Sequence, residues 1–342
     1  MRRAAALTLL VLAVSPAVQA DEPAKLVNAD ARELNAAARA ANAAARKRNG
    51  PAQRAAEAKA AGAAAAPGSV PAAVSTIATA VAAPALHNVA LVSAAAPAAR
   101  NAACKGTIYL TFDTGSQSQA ELIADTLKRH NIKATFFLAN EKTVRGDYSL
   151  DPSWSAYWKA RVAEGHAIGS HTFDHDTLVK DGPGDKIQVK PGFGANAGKI
   201  QSWTPQQYCE EIKRVDQRFV ELTGKHIDPI WRAPAGRTSP RTLAAAQACG
   251  YAHVGWAPAG FSGDELSSSA YPNEALLQKS LRDLRSGDIF VAHMGIWSRK
   301  EAWAPANLEP LISGLEQKGY CFATLREHPD YTTVFKPNSK HP

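Results

Sequence analysis

The chain has 342 residues, four cysteines and a formal net charge of +8, enough length for one sizeable domain and a tail. Residues 1–103 hold 11 Lys and Arg against 5 Asp and Glu, so most of the excess lies there and the remainder is nearly balanced. That distribution, without any recognised nucleic-acid motif, speaks against a nucleic-acid binder and for contact with an anionic envelope surface.

Arg2-Arg3, an apolar run over 4–14 and the small residues of Val18-Gln19-Ala20 make a secretory pattern, so residues 1–20 read as a signal peptide. An uncleaved anchor is the alternative, although the run is shorter than the roughly 18 apolar residues a helical span needs. No later stretch reaches that length, and the expectation is an exported, periplasmic or extracellular chain with no transmembrane segment. There Cys104, Cys209, Cys249 and Cys321 form either two disulfides or buried thiols, with the pairing open. Residues 21–103 are Ala-rich and poor in large apolar side chains, which suits a frayed helix and a flexible linker. A wall-tethering or partner-binding arm is the other reading.

From Cys104 the pattern becomes globular, giving a domain over 104–335. Strands are expected at 107–112, 134–138, 166–170, 229–232, 251–256, 288–293 and 320–325. Helices are expected at 119–130, 152–164, 205–223, 239–249, 272–285 and 305–318, several opening on Pro near the first turn, where its missing N–H is harmless. Such alternation means βαβ units around a parallel sheet. About seven strands are too many for a small open sheet and too few for a full barrel, so an α/β fold with a distorted or incomplete (β/α) barrel is predicted. In that fold chemistry lies just past the C-terminal ends of strands.

Four segments meet that expectation. Asp113 ends the first strand before Thr114-Gly115, as a candidate base or a turn residue. His171 and His175 follow the third strand at a spacing that lets two imidazoles meet one metal ion, or else cap and face solvent. Arg232 closes a strand ahead of Ala233-Pro234-Ala235-Gly236, where a fixed turn can aim an N–H at an oxyanion. His293 ends a buried strand on the same face, as a reactive group or a satisfied core histidine.

In that order these segments resemble the polysaccharide deacetylase (NodB homology) family, carbohydrate esterase family 4, over about residues 106–325. Its motifs T-F-D-D-G, H-[ST]-x-x-[HD], R-x-P-[YF] and L-x-H are matched by Thr111–Gly115, His171–His175, Arg232–Ala235 and Val291–His293. The resemblance implies N-acetyl hydrolysis on a glycan polymer, and the chain is expected to be a monomer. It makes Asp113 the general base, His293 the general acid and Arg232 the residue positioning the base. It also gives Ala235 an oxyanion N–H and makes His171 and His175 ligands of a divalent metal, zinc the first candidate.

The match departs from the pattern at Thr114, which stands where most of the family carries a second Asp as metal ligand. A hydroxyl is a doubtful ligand, and Asp174 or Asp176 is a possible replacement. Some peptidoglycan deacetylases acting on N-acetylmuramic acid share the neutral residue and the R-x-P-x-G pattern of Arg232–Gly236. The usual D-x-x-D-W is missing near Trp256, leaving Asp264 a loose candidate partner for Arg232. Trp256, with Trp154, Trp158, Trp203, Trp297 and Trp303, either stacks on sugar rings or packs the core. Residues 181–202 read as a Lys- and Gly-containing loop bordering the groove. A non-catalytic glycan binder and a small-ester or cyclic-amide hydrolase remain competing readings.

Overall fold

The computed structural model describes residues 104–335; the expected signal peptide and Ala-rich arm lie outside the described residues. The first half of the chain runs β1 (Gly106–Asp113), α1 (Ala120–Arg129), β2 (Thr135–Leu138), α2 (Ser155–Ala163) and β3 (Ala167–Ser170). It continues through β4 (Thr177–Asp181), β5 (Ile187–Lys190), β6 (Gln201–Trp203) and α3 (Pro205–Thr223). The second half runs β7 (Ile230–Trp231), α4 (Pro240–Ala248), β8 (Ala252–His253), α5 (Asn273–Asp283), β9 (Ile289–His293), α6 (Trp303–Gln317) and β10 (Tyr320–Phe322).

Seven strands form one sheet in the order β10-β1-β2-β3-β7-β8, with β9 also paired to β1, and every pairing is parallel. A single parallel bridge from Phe261 to Val291 ties the chain after β8 to β9. The sheet therefore curls upon itself without a full ladder at that point, which is the incomplete barrel the strand count predicts. β1 explains how the period of two sorts residues between its faces. Ile108, Leu110 and Phe112 pack outward into the main core with Phe136, Trp158 and Phe290. Tyr109 faces inward against Phe137, Ile230, Val254 and Ile289. Thr111 and Asp113 share the inward parity of Tyr109, so a carboxylate at the strand end falls on the barrel axis.

Helix starts obey local chemistry. Thr204 caps α3 in a reciprocal pair with Gln207, Pro205 occupies the first turn, and Gly224 at φ 74° ends the helix. Ser239 and Thr242 do the same for α4. Two disulfides, Cys104–Cys321 and Cys209–Cys249, settle the pairing. The first ties the start of β1 to β10, and the second joins α3 to the end of α4.

Three expectations about segments need correction. Residues 181–202 are not an open loop: β4, β5 and β6 form an antiparallel sheet. Ile187 and Val189 alternate inward onto Tyr208, Ile212 and Trp231. The strand expected at 251–256 stops at His253, because the carbonyls of Val254 and Gly255 turn to accept from the Arg232 guanidinium. Helix α6 begins two residues before the expected 305, at Trp303, whose buried ring packs on Phe290. Trp154, Trp158 and Trp303 are core residues, leaving Trp297 exposed and Trp203 and Trp256 partly buried.

Candidate active site

Parallel register brings the strand ends together: Asp113 on β1 lies opposite His293 on β9, and opposite Phe137 on β2. Both turns leaving β1 and β9 are pressed close. A Cβ on Gly115 would stand 2.3 Å from the Gly295 carbonyl oxygen, so only glycine lets the two backbones approach this far.

Arg232 is fully buried beneath this floor. Its Nη1 donates to Asp113 Oδ1 at 2.7 Å and to Thr111 Oγ1 at 2.8 Å. Nε and Nη2 donate to the carbonyls of Val254 and Gly255 at 3.3 and 3.1 Å, and the guanidinium stacks 4.2 Å over Phe137. The other oxygen of Asp113 faces His171 Nε2 at 3.7 Å. Burial opposes ionisation of Asp113, but Arg232, then His171 and His293, outweigh it and hold its pKa below the ordinary carboxylate value. Asp113 is thus a desolvated carboxylate kept charged.

His171 Nδ1 lies 2.9 Å from the Arg232 carbonyl oxygen, which fixes Nδ1 as the protonated nitrogen and leaves the Nε2 lone pair facing the site. Burial, with His175 next to it, pushes its pKa down to about 4 against the pull of Asp113. The ring centroids of His171 and His175 are 5.0 Å apart. The segment carrying them is locally strained: Thr172 and His175 sit at φ 58° and 54°. Ala235, in the one-turn helix after Arg232, sits at φ 56°. Left-handed backbone costs a residue with a Cβ roughly 1–2 kcal/mol. Together with Gln117, these make four of the five non-glycine residues at positive φ among the described residues, and all four follow three of the four motif-bearing strands, β1, β3 and β7.

His293 is held from behind by Asp264. The carboxylate receives the His293 backbone N–H at 2.6 Å and lies 3.0 Å from Nδ1. Burial would lower the imidazole pKa, but Asp264 overrides it and lifts it to about 10. Asp264 is therefore not a partner of Arg232, as the sequence suggested; Arg232 is already saturated by Asp113, Thr111 and two carbonyls. A cavity of about 210 Å³ opens beside His293, lined by Ser118, Gln119, Asp264, Lys300 and Trp303. Trp256 lies 5.6 Å from the Arg232 guanidinium, and a Cβ on Gly236 would stand 2.7 Å from its ring.

Thr114 is engaged by its neighbours. Its Oγ1 accepts from the Ala139 N–H at 2.9 Å and donates to Glu141 Oε1 at 3.0 Å. Glu141, which sequence reasoning missed, follows the end of β2, the location the barrel rule marks for chemistry. Asp174 pairs with Arg214 at 3.4 Å. Asp176 is fully buried with no hydrogen bond to either carboxylate oxygen. Burial, with Glu211 and Asp174 nearby, pushes its pKa up to about 8. Neither Asp joins His171 and His175, and among the described residues no three His, Cys, Asp or Glu side chains already converge to hold an ion.

The sequence model described as polysaccharide deacetylase matches residues 100–254. A peptidoglycan-N-acetylglucosamine deacetylase of Bacillus cereus is 39% identical over 222 residues, covering 65% of this chain and 67% of the relative. The chain belongs to the polysaccharide deacetylase family. The peptidoglycan-N-acetylmuramic acid deacetylase of Bacillus subtilis is 26% identical over 220 residues, covering 64% of this chain and 70% of the relative. Among solved structures, the Xyl-CE4 domain of a multidomain xylanase from the hindgut metagenome of Trinervitermes trinervoides aligns with TM-score 0.51 at 18% identity, over 67% of this chain and 91% of that one. That likeness carries the curled parallel sheet of this deacetylase family and nothing finer.

Proposed function

We propose that this deacetylase-family chain is exported and removes N-acetyl groups from an amino-sugar polymer, peptidoglycan before a chitin-like glycan. The observation that carries the reading is the pairing of Asp113 and His293 at adjacent strand ends in opposite charge states. Arg232 keeps the carboxylate ionised and Asp264 keeps the imidazole protonated. Amide hydrolysis needs that division: a base for the attacking water and an acid for a poor amine leaving group.

Asp113 takes the proton from water on the face of the acetyl carbonyl that it shares with His171. Arg232 occupies Oδ1, so Oδ2 is the oxygen directed at the site. The backbone N–H of Ala235, in its strained turn, serves as the oxyanion donor. His293 gives its proton to the departing sugar nitrogen and is recharged from the polar cavity beside it. A divalent cation, zinc in the first instance, would be held by His171 and His175 and would polarise the carbonyl. His171 suits that task because it is held neutral with its Nε2 lone pair directed inward. The polymer assignment draws on the two peptidoglycan deacetylases, and Trp256 supplies an aromatic face for a sugar ring. Export accords with two disulfides and with the secretory pattern at 1–20.

A non-catalytic glycan binder is the second reading, favoured by Thr114 alone. Acetate release by the mature protein, from peptidoglycan and from chitooligosaccharides with and without added zinc, separates the two. Acetate from peptidoglycan is expected; binding without acetate under every condition would refute the enzyme.

A further inference from the structure

A group that protonates a sugar nitrogen has the carbon bearing that nitrogen, and the ring position beside it, for neighbours. The cavity of about 210 Å³ next to His293 therefore faces whatever the sugar carries there. We propose that this cavity is an anion subsite. It takes a carboxylate borne by the ring substituent next to the acetamido group, held by Lys300 and the first N–H groups of α6 above the Arg299 guanidinium.

Positive charge exceeds negative in the lining. Asp264 is the one acid there, and it is spent: it accepts from Ser262 Oγ at 2.9 Å and from the His293 backbone N–H at 2.6 Å, and the imidazolium matches its charge. Arg299 and Lys300 remain. Arg299 is 7% exposed, and its guanidinium donates only to neutral acceptors, the carbonyls of Leu266 at 2.6 Å and Tyr271 at 3.0 Å and the Asn273 side chain. Its Nε, shielded from solvent, has no hydrogen-bond partner among the described residues. A buried guanidinium one acceptor short carries an uncompensated cost that an anion in the cavity would reduce. Glu301 acts on Arg299 from the chain but does not line the cavity. Lys300 is exposed where it lines the cavity and makes no ion pair among the described residues.

Helix α6 opens on the same cavity. Its N-cap Ala302 and its first two residues, Trp303 and Ala304, belong to the lining, and Ala302 offers no side-chain cap. The first N–H groups of a helix have no partner within it. Pro305 has no N–H and the first turn holds no acid, so Trp303 and Ala304 present theirs at the positive end of the helix dipole. Gln119, the N-cap of α1, lines the cavity too and makes no side-chain bond to its own helix. Arg299 ties the β9–α6 loop to Leu266, Tyr271 and Asn273, which fixes these donors before a ligand arrives. A neutral hydroxyl would leave their charge unmatched, whereas a carboxylate accepts from several of them at once. That carboxylate can sit on an ether at the ring carbon or on a peptide attached to the ether.

The subsite rests on the acid role given to His293 above, but its test does not require turnover. Peptidoglycan strands are prepared in three forms: stripped of peptide with the ether carboxylate free, stripped with that carboxylate converted to its methylamide, and peptide-bearing. The mature protein is assayed on each for kcat/KM of acetate release, and by calorimetry for Kd on the same strands if no acetate appears. Wild type should favour an anionic form over the methylamide by at least about 10-fold, the worth of one hydrogen bond to a charged group. Lys300→Met should bring that ratio to within about threefold of unity. Lys300→Arg should keep it, as should Lys225→Met, at an exposed lysine just past the end of α3. A Lys300-dependent preference for the free ether carboxylate places the charge on the sugar, and one for peptide-bearing strands places it on the peptide. A wild-type ratio near unity, or a ratio that survives Lys300→Met, overturns the subsite. Absence of acetate from every strand, with the Kd ratio and its loss in Lys300→Met intact, would count against the deacetylase reading and leave the subsite standing.

Discussion

Asp264→Asn is the substitution that isolates the assigned acid. Asparagine keeps one oxygen to accept the Nδ1–H of His293, but its amide nitrogen cannot replace the oxygen that accepts the His293 backbone N–H, so the charge is removed together with one hydrogen bond. In the native protein burial pulls the His293 pKa down and Asp264 overrides it, to about 10. Without the carboxylate only the downward push of burial and the weaker fields of Glu265 and Asp113 remain, and the pKa falls to the ordinary value of about 6.5 or below. At pH 8 a group of pKa about 6.5 is only about 3% protonated, so kcat should drop about 30-fold there and hardly at all near pH 5.5. Initial rates of acetate release from pH 5 to 10 would show the alkaline limb moving toward neutrality by about three units. An unmoved limb, with a pH-independent loss in its place, would refute the claim that Asp264 sets the charge of the proton donor.

Three further outcomes follow from the same geometry. Arg232→Lys offers a point charge where a planar fork now serves Asp113, Thr111, Val254 and Gly255. It should cost about 3 kcal/mol or more in urea unfolding, and a loss under 1 kcal/mol would contradict it. Gly115→Ala must push the β1 turn off the Gly295 carbonyl, and displacing Asp113 by about 1 Å should lower kcat/KM about 100-fold with the fold retained. In chelator, stability should pass through a maximum near pH 6–7. His166, His171 and His253 are held neutral by burial with pKa values of about 4, so their contribution is lost as pH falls from about 6.5 towards 4. Asp176 at about 8 and His293 at about 10 are raised, so their contribution is full at low pH. It is lost above the unfolded values, through 8 for Asp176 and through 10 for His293. Urea midpoints that rise steadily to pH 9 would contradict these signs.

Much of this was legible because two periodicities carry it. The β-rich runs ending at Asp113, Ser170, Arg232 and His293 separate cleanly from Pro-initiated helices, which fixes the parallel sheet and places the motif residues at strand ends. Pairings set by space rather than spacing were not legible. Asp264 lies 29 residues before His293, and nothing local distinguishes a carboxylate that will meet an imidazole from one that will meet Arg232. Glu141 is 27 residues from Thr114, yet it follows a strand end, and testing every acid just past a strand would have raised it. The antiparallel strands β4–β6 were hidden by Gly- and Lys-rich composition, although the alternation through Ile187 and Val189 was a usable sign. Trp154, Trp158 and Trp303 show why aromatic residues near motifs are weak indicators of a sugar groove: the fold needed all three for its core.

If Asp113 and His293 act as base and acid on an acetylated glycan, neither can be replaced without losing acetate release. Acetate from peptidoglycan is quantified for wild type, Asp113→Asn and His293→Ala, with zinc supplied to all three. Wild type should release acetate and each variant at least about 100-fold less, with metal-free melting temperatures showing that both remain folded. Variants that release acetate at the wild-type rate would contradict it, as would a folded, zinc-supplied wild type that releases none.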